Sequence, residues 1–149
     1  MFKTKADAAK FARGLGEFFD SVWDPKAEWT EAYFAETHAK NVQHTWQGQT
    51  CDGIKGMLEH WTPMKGAFVH AKTLGEDIET FTDTMVSYMH YAVCTSFENK
   101  EVFIVTRCIV DVDKEGKVLR ETYVLDQKYA NAMMGVMGAF AEKNGIKMT

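Results

Sequence analysis

The feature that most restricts the fold of this sequence is a change of hydrophobic period near Phe68. Before it, apolar residues recur at helical spacing; after it, they alternate. Phe11, Leu15, Phe18, Phe19 and Val22 predict an amphipathic helix over about Lys5 to Trp23. Asp24-Pro25 interrupts it, and Pro25 suits the first turn of a second helix carrying Trp29, Ala32 and Tyr33 and ending near Lys40. The stretch Val42-Gln43-His44-Thr45-Trp46 then reads as a strand, followed by a glycine-bearing turn. Asp52 is the expected N-cap of a helix with Ile54, Met57, Leu58 and Trp61 along one face, stopped by Thr62-Pro63. Beyond Phe68, four strands are expected: His70 to Glu79, Met85 to Phe97, Glu101 to Val112 and Lys117 to Gln127. Short polar connections such as Glu98-Asn99-Lys100 make them sequential hairpins. Tyr129, Ala132, Met133, Val136, Met137 and Phe140 form a closing helix ahead of Gly145. Helices gathered at the front and an antiparallel meander behind make the class α+β.

Composition narrows the function more than it specifies it. With 149 residues, 46% of them apolar, the chain is long enough for one real core and one internal pocket. No repeat, low-complexity tract or linker divides it, so residues 1–149 are expected to form a single domain, with a core over about 8–127 and a terminal helix over about 128–144. The net charge is −4 and the basic residues are scattered, which argues against nucleic acid or an anionic membrane as partner. Three cysteines without metal-type spacing (Cys51, Cys94, Cys108) suit a reducing compartment. The N-terminus lacks the apolar core of a signal peptide, so a cytoplasmic location is expected.

Two side chains carry most of the chemical interest. His44 shares a strand face with Val42 and Trp46; it is either a half-buried histidine bonded to backbone or an acid/base that titrates near neutrality. Glu121 shares its face with Leu119, Tyr123 and Leu125. A carboxylate there must be paired or have a displaced pKa, and a slip of one residue would turn it outward. His70 is either a strand-edge residue or a second acid/base. No histidine pairing or carboxylate spacing suggests a metal, and Gly14 and Gly16 lie inside a helical pattern rather than in a phosphate loop, so no cofactor is expected. The closing helix, rich in methionine and glycine, is either ordinary core or a lid over a pocket mouth.

The order of elements, with the segments V-Q-H-T-W-Q-G-Q-T-C-D-G-I-K-G and D-V-D-K-E-G-K-V-L-R-E-T-Y-V-L-D, resembles the nuclear transport factor 2-like superfamily over about Phe11 to Asp126. That group includes SnoaL-like polyketide cyclases, ketosteroid isomerases and scytalone dehydratase. The resemblance implies a cone-shaped α+β barrel, a strongly bent sheet wrapped around N-terminal helices with an apolar cavity on its concave side. It places His44 where the isomerases keep a carboxylate base, and points His70, Met89, Tyr91, Val93, Cys108, Glu121 and Tyr123 inward. Phe18 and Cys108 stand where the isomerases have a tyrosine and a second acid, which disfavours that activity. His44, His70, Glu121 and Tyr91 are the implied catalytic set. Phe18, Trp46, Trp61, Met89, Cys108 and Tyr123 are the implied substrate-binding residues.

The resulting expectation is a cofactor-independent lyase or isomerase, of dehydratase or cyclase type, acting by general acid/base chemistry on a small apolar molecule with carbonyl or hydroxyl groups. The alternative is a non-catalytic ligand-binding or dimeric module of the same fold. Epoxide hydrolysis would require an Asp-Arg-Asp set, which Arg107-Cys108-Ile109 does not supply. On the assigned register, Val86, Tyr88, Ala92 and Cys94 join Phe103, Val105 and Ile109 on an outer sheet face too apolar for water. A homodimer through that face is therefore expected.

Overall fold

A computed structural model describes residues 1–148. Helix α1 (Lys5–Val22) starts at a reciprocal cap, in which the Thr4 hydroxyl accepts from the Asp7 N–H and the Asp7 carboxylate accepts from the Thr4 N–H. The expected second helix is only one turn long, α2 (Glu31–Ala35), because the chain is already extended by His38. Strand β1 (His38–Trp46) therefore begins earlier than its apolar centre suggests, and His38 lies on it.

A short strand not expected from the sequence, β2 (Gln49–Asp52), folds back on β1 through Gln47-Gly48. Both turn residues have positive φ, 48° and 82°, as a two-residue type I′ hairpin requires. Gln47 is held there by its side-chain Oε1, which accepts from the Leu125 N–H at 2.6 Å. Helix α3 (Gly53–Trp61) follows, then a 3₁₀ turn over Thr62–Met64.

The remaining strands are β3 (Phe68–Phe81), β4 (Met85–Ser96), β5 (Glu101–Val112) and β6 (Val118–Leu125), and α4 (Gln127–Asn144) closes the chain with Gly145 in the left-handed conformation. The strands form one sheet in the order β2-β1-β6-β5-β4-β3. Every pairing is antiparallel except β1 with β6, so the sheet is mixed. Register irregularities along β3 and between β1 and β6 bend the sheet, and α1 packs into the concave side.

Inward placements on two strands are overturned. In β4 the buried side chains are Val86, Tyr88, His90, Ala92, Cys94 and Ser96, whereas Met89, Tyr91 and Val93 face outward. Both faces of this strand are apolar, so alternation alone could not decide which was inside. In β3 an irregularity between Phe68 and His70 leaves Phe68 and Ala71 buried and puts both Val69 and His70 outside. The outer face consequently loses Val86, Tyr88, Ala92 and Cys94 but keeps Phe103 and Ile109, which are exposed. Leu119 is exposed too: a register shift at Asp111/Val112 buries Val118 in its place, while Glu121 and Leu125 stay inside.

Candidate functional site

The parallel pairing of β1 with β6 sets His44 directly beside Glu121. The six residues of β1 from His38 to Gln43 span only three of β6, from Val118 to Arg120, and the resulting bulge brings His38 to the same carboxylate. Glu121 is 1% exposed and receives three donors. His44 donates from Nδ1 to Oε1 at 2.7 Å, and His38 Nε2 lies 3.1 Å from both oxygens. The Tyr123 hydroxyl donates to Oε2. Burial alone would raise the Glu121 carboxyl pKa; the charge of His38 and the hydrogen bonds from both imidazoles outweigh it and hold the group well below the usual carboxylate range. Burial, and then the Glu121 charge, push the Tyr123 phenol well above its ordinary value, so it stays a donor.

This arrangement fixes the tautomer of His44. Its Nδ1 must carry the proton given to Glu121, so Nε2 keeps a lone pair. That lone pair accepts a hydrogen bond from the Trp61 indole N–H at 3.0 Å. His38 is more adaptable. Its Nδ1 is 2.6 Å from the Thr37 hydroxyl, which lies 3.3 Å from the Phe34 carbonyl oxygen. The hydroxyl can donate to a lone pair on Nδ1, or accept from an N–H there while donating to Phe34.

His38, His44, Glu121 and Tyr123 line one side of a cavity of about 160 Å³ on the concave face of the sheet. Phe18, Trp46, Trp61 and Cys108 also line it, as expected from the sequence; Met89, Tyr91 and His70 do not. The Tyr91 hydroxyl instead donates to Asp77 at 2.8 Å on the outer face, and Arg107 forms a bidentate pair with Glu79 there. The Cys108 thiol is pushed up to about 12, chiefly by burial, and is no nucleophile. Trp46 and Trp61 stack edge to face at 5.5 Å and separate the cavity from an outer recess bounded by Met134 and Met137 of α4. Both imidazoles turn an N–H toward Glu121. Among the described residues, no group of three or more His, Cys, Asp or Glu is arranged to hold a metal ion.

His38 is the member of this cluster that sequence reasoning missed. Its side chain belongs to the site only because the one-turn α2 ends before it and β1 bulges after it; the lone signal was its position six residues ahead of His44. His90, which also lines the cavity, was missed with the β4 register.

No protein-family model matches the chain, and no curated protein matches it in sequence. Solved structures do match in shape. A protein provisionally named a SnoaL-like polyketide cyclase from Jannaschia sp. CCS1 is 15% identical, with a TM-score of 0.60 over 87% of this chain and 92% of its own. A nuclear transport factor 2-like protein from Anabaena variabilis is 16% identical, with a TM-score of 0.62 over 85% and 96%. A protein provisionally named a polyketide cyclase from Xanthomonas campestris pv. campestris is 18% identical, with a TM-score of 0.59 over 85% and 98%. A curved mixed sheet closed by helices around a buried polar cluster defines an α+β cone with an internal pocket. More particularly, the chain has the nuclear transport factor 2-like fold. Among the described residues, no helix is long and apolar enough to cross a membrane.

Proposed function

We propose that the protein is a cofactor-independent lyase or isomerase in which His44 removes a proton next to a carbonyl group. The observation that carries this reading is the pairing of Trp61 Nε1–H with His44 Nε2 at the cavity wall. A base and a hydrogen-bond donor satisfy each other there, and a carbonyl compound entering between them would satisfy both. Its α C–H would face Nε2 and its oxygen would face the indole N–H. Proton transfer breaks the C–H bond, forms N–H on His44 and moves the electron pair into an enolate, whose oxygen Trp61 stabilises. The imidazolium formed faces the Glu121 carboxylate, so the charge is met without rearrangement. Return of the proton to a neighbouring carbon gives isomerisation. Its delivery to a β-hydroxyl releases water and gives dehydration.

The donors expected from the sequence, His70 and Tyr91, lie outside the cavity and take no part. The SnoaL-like cyclase names of similar structures are in keeping with this chemistry. One observation favours a non-catalytic ligand-binding module instead: each ring nitrogen of His38 and His44 already has a protein partner.

The test is a racemic 3-hydroxycyclohexanone probe in D₂O, followed by NMR for exchange α to the carbonyl and for loss of water. Catalysis should exceed buffer, fall by about 100-fold or more in His44→Ala, and fall less in Trp61→Phe, which keeps an aromatic ring, smaller than the indole, and loses the donor. If no variant differs from wild type, the module reading replaces the enzyme reading.

The same proposal seats a second copy of the chain on the outer sheet face, where Phe103 and Val124 are 46% and 48% exposed. Sedimentation at micromolar concentration should show a dimer; a monomer alone would remove that occupant.

A further inference from the structure

The cavity has a second polar pole, remote along the sheet from Glu121 and built from different elements. His90 on β4 lines it and is 7% exposed. Its Nε2 is 2.8 Å from the Thr73 hydroxyl on β3. That hydroxyl is 2.8 Å from Asp20 Oδ1 on α1, and the Thr73 N–H donates to Oδ2 of the same carboxylate at 3.0 Å. The Phe19 ring meets the imidazole nearly edge-on, with centroids 5.2 Å apart.

The single proton of the Thr73 hydroxyl decides the state of the whole chain. The Gly16 carbonyl oxygen is a third acceptor, 3.1 Å from the hydroxyl; if the proton went to it or to His90, two unprotonated oxygens, Thr73 Oγ1 and Asp20 Oδ1, would face each other at 2.8 Å. Donation to the Asp20 carboxylate removes that repulsion. His90 must then donate from Nε2 to Thr73, which leaves Nδ1 with a lone pair. Burial lowers the His90 pKa, partly offset by the Asp20 charge, so the ring stays neutral.

Among the described residues, Nδ1 has no hydrogen-bond partner. No unpartnered side-chain nitrogen or oxygen among the described residues is fully buried, so Nδ1 opens to the space its residue lines. Thr106 on β5 pairs directly with His90 across the strands and lines the same cavity. Its hydroxyl likewise has no hydrogen bond among the described residues and stays accessible by the same argument. Tyr88 and Cys108 lie on the strands between the two poles, and most of the remaining lining is apolar, from Phe18, Phe19, Ile104 and Leu125 among others.

We infer that His90 Nδ1 and the Thr106 hydroxyl form a binding station for a hydroxyl or enol group, so that the natural ligand is a compact, apolar-bodied molecule oxygenated at two ends. The near end meets Trp61 and His44; the far end donates to His90 and exchanges a hydrogen bond with Thr106. Asp20 and Thr73 are positioning residues that fix the acceptor tautomer. A ligand with one oxygen would leave a buried acceptor unmatched, and the cavity discriminates against it on that ground. This goes beyond the proton-abstraction reading and does not depend on it, because it concerns binding alone.

The test compares two probes of one shape, p-cresol and 4-hydroxybenzyl alcohol, by calorimetry on wild type, Thr106→Val and His90→Phe. Wild type should bind the alcohol at least as well as the cresol despite its extra polar group. In either variant the preference should shift toward the cresol by about 3- to 10-fold. Thr106→Val loses no protein hydrogen bond, so its fold is secure even if His90→Phe is not. Independently of any variant, ¹⁵N NMR of wild type should show His90 Nδ1 as the unprotonated, pyridine-type nitrogen, shifting when the alcohol binds. An unchanged preference in Thr106→Val, a protonated Nδ1, or no binding of the alcohol up to millimolar concentration would each overturn the inference. Loss of turnover in His44→Ala with an intact far-end preference would separate the two readings.

Discussion

The two polar poles of the cavity use the same residue types in opposite ways. At one, Glu121 gathers His38, His44 and Tyr123, and every nitrogen and oxygen of the cluster is matched by protein. At the other, Asp20 reaches His90 only through Thr73, and the chain ends in an open nitrogen. A carboxylate that touches its imidazoles directly gives a closed unit that holds charge inside the barrel. A carboxylate one hydroxyl removed transmits only a tautomer. The first arrangement suits proton storage, and the second suits recognition.

The contrast can be broken most forcefully at Glu121. Replacing it with Ala leaves two imidazoles and a phenol facing one another without their common acceptor, and should cost about 3–5 kcal/mol of unfolding free energy by denaturant titration. A loss under about 1 kcal/mol would mean that the cluster is not held by its carboxylate. The pH dependence has a defined sign. Because the folded carboxyl lies below its unfolded value of 4.5, its contribution is complete above that value and is lost as pH falls from there toward the depressed folded value. Wild type should therefore lose stability more steeply than Glu121→Gln between pH 5 and pH 3.

A smaller effect sharpens the other pole. A Cβ on Gly16 would lie 3.1 Å from Cγ2 and Oγ1 of Thr73, which Asp20 and His90 hold in place. Gly16→Ala should forfeit the usual helical gain and destabilise by about 1–2 kcal/mol, with a changed His90 ¹⁵N spectrum. Gly14, two residues away on the same helix, has nothing within 4 Å of its Cβ position. Gly14→Ala should stabilise by up to about 1 kcal/mol and leave His90 untouched. Equal outcomes at the two glycines would show that the contact between α1 and Thr73 does not set the pole.

The sites differ in how far they could be read in advance. His44 and Glu121 lie on strands with one clearly apolar face, so their inward placement followed from alternation and the resemblance. Trp46, Cys108 and Tyr123 reached the cavity in the same way, and Phe18 and Trp61 through the apolar faces of α1 and α3. His90, Met89 and Tyr91 share a strand whose two faces are equally apolar, and there the pattern held no information about direction. His70 was displaced by an irregularity in β3 that no residue type announces.

The change of period, the polar hairpin connections and the capped helices are local properties, set by each residue and its near neighbours. They were enough to determine the α+β class, five of the six strands and the helix that closes the chain. Which histidines meet which carboxylates was decided only in the tertiary structure. Bulges and strand pairings between distant segments choose the face a side chain occupies, and a shift of one residue reverses that choice at no cost in local propensity. His38 joined Glu121 across 83 residues of sequence by such a bulge.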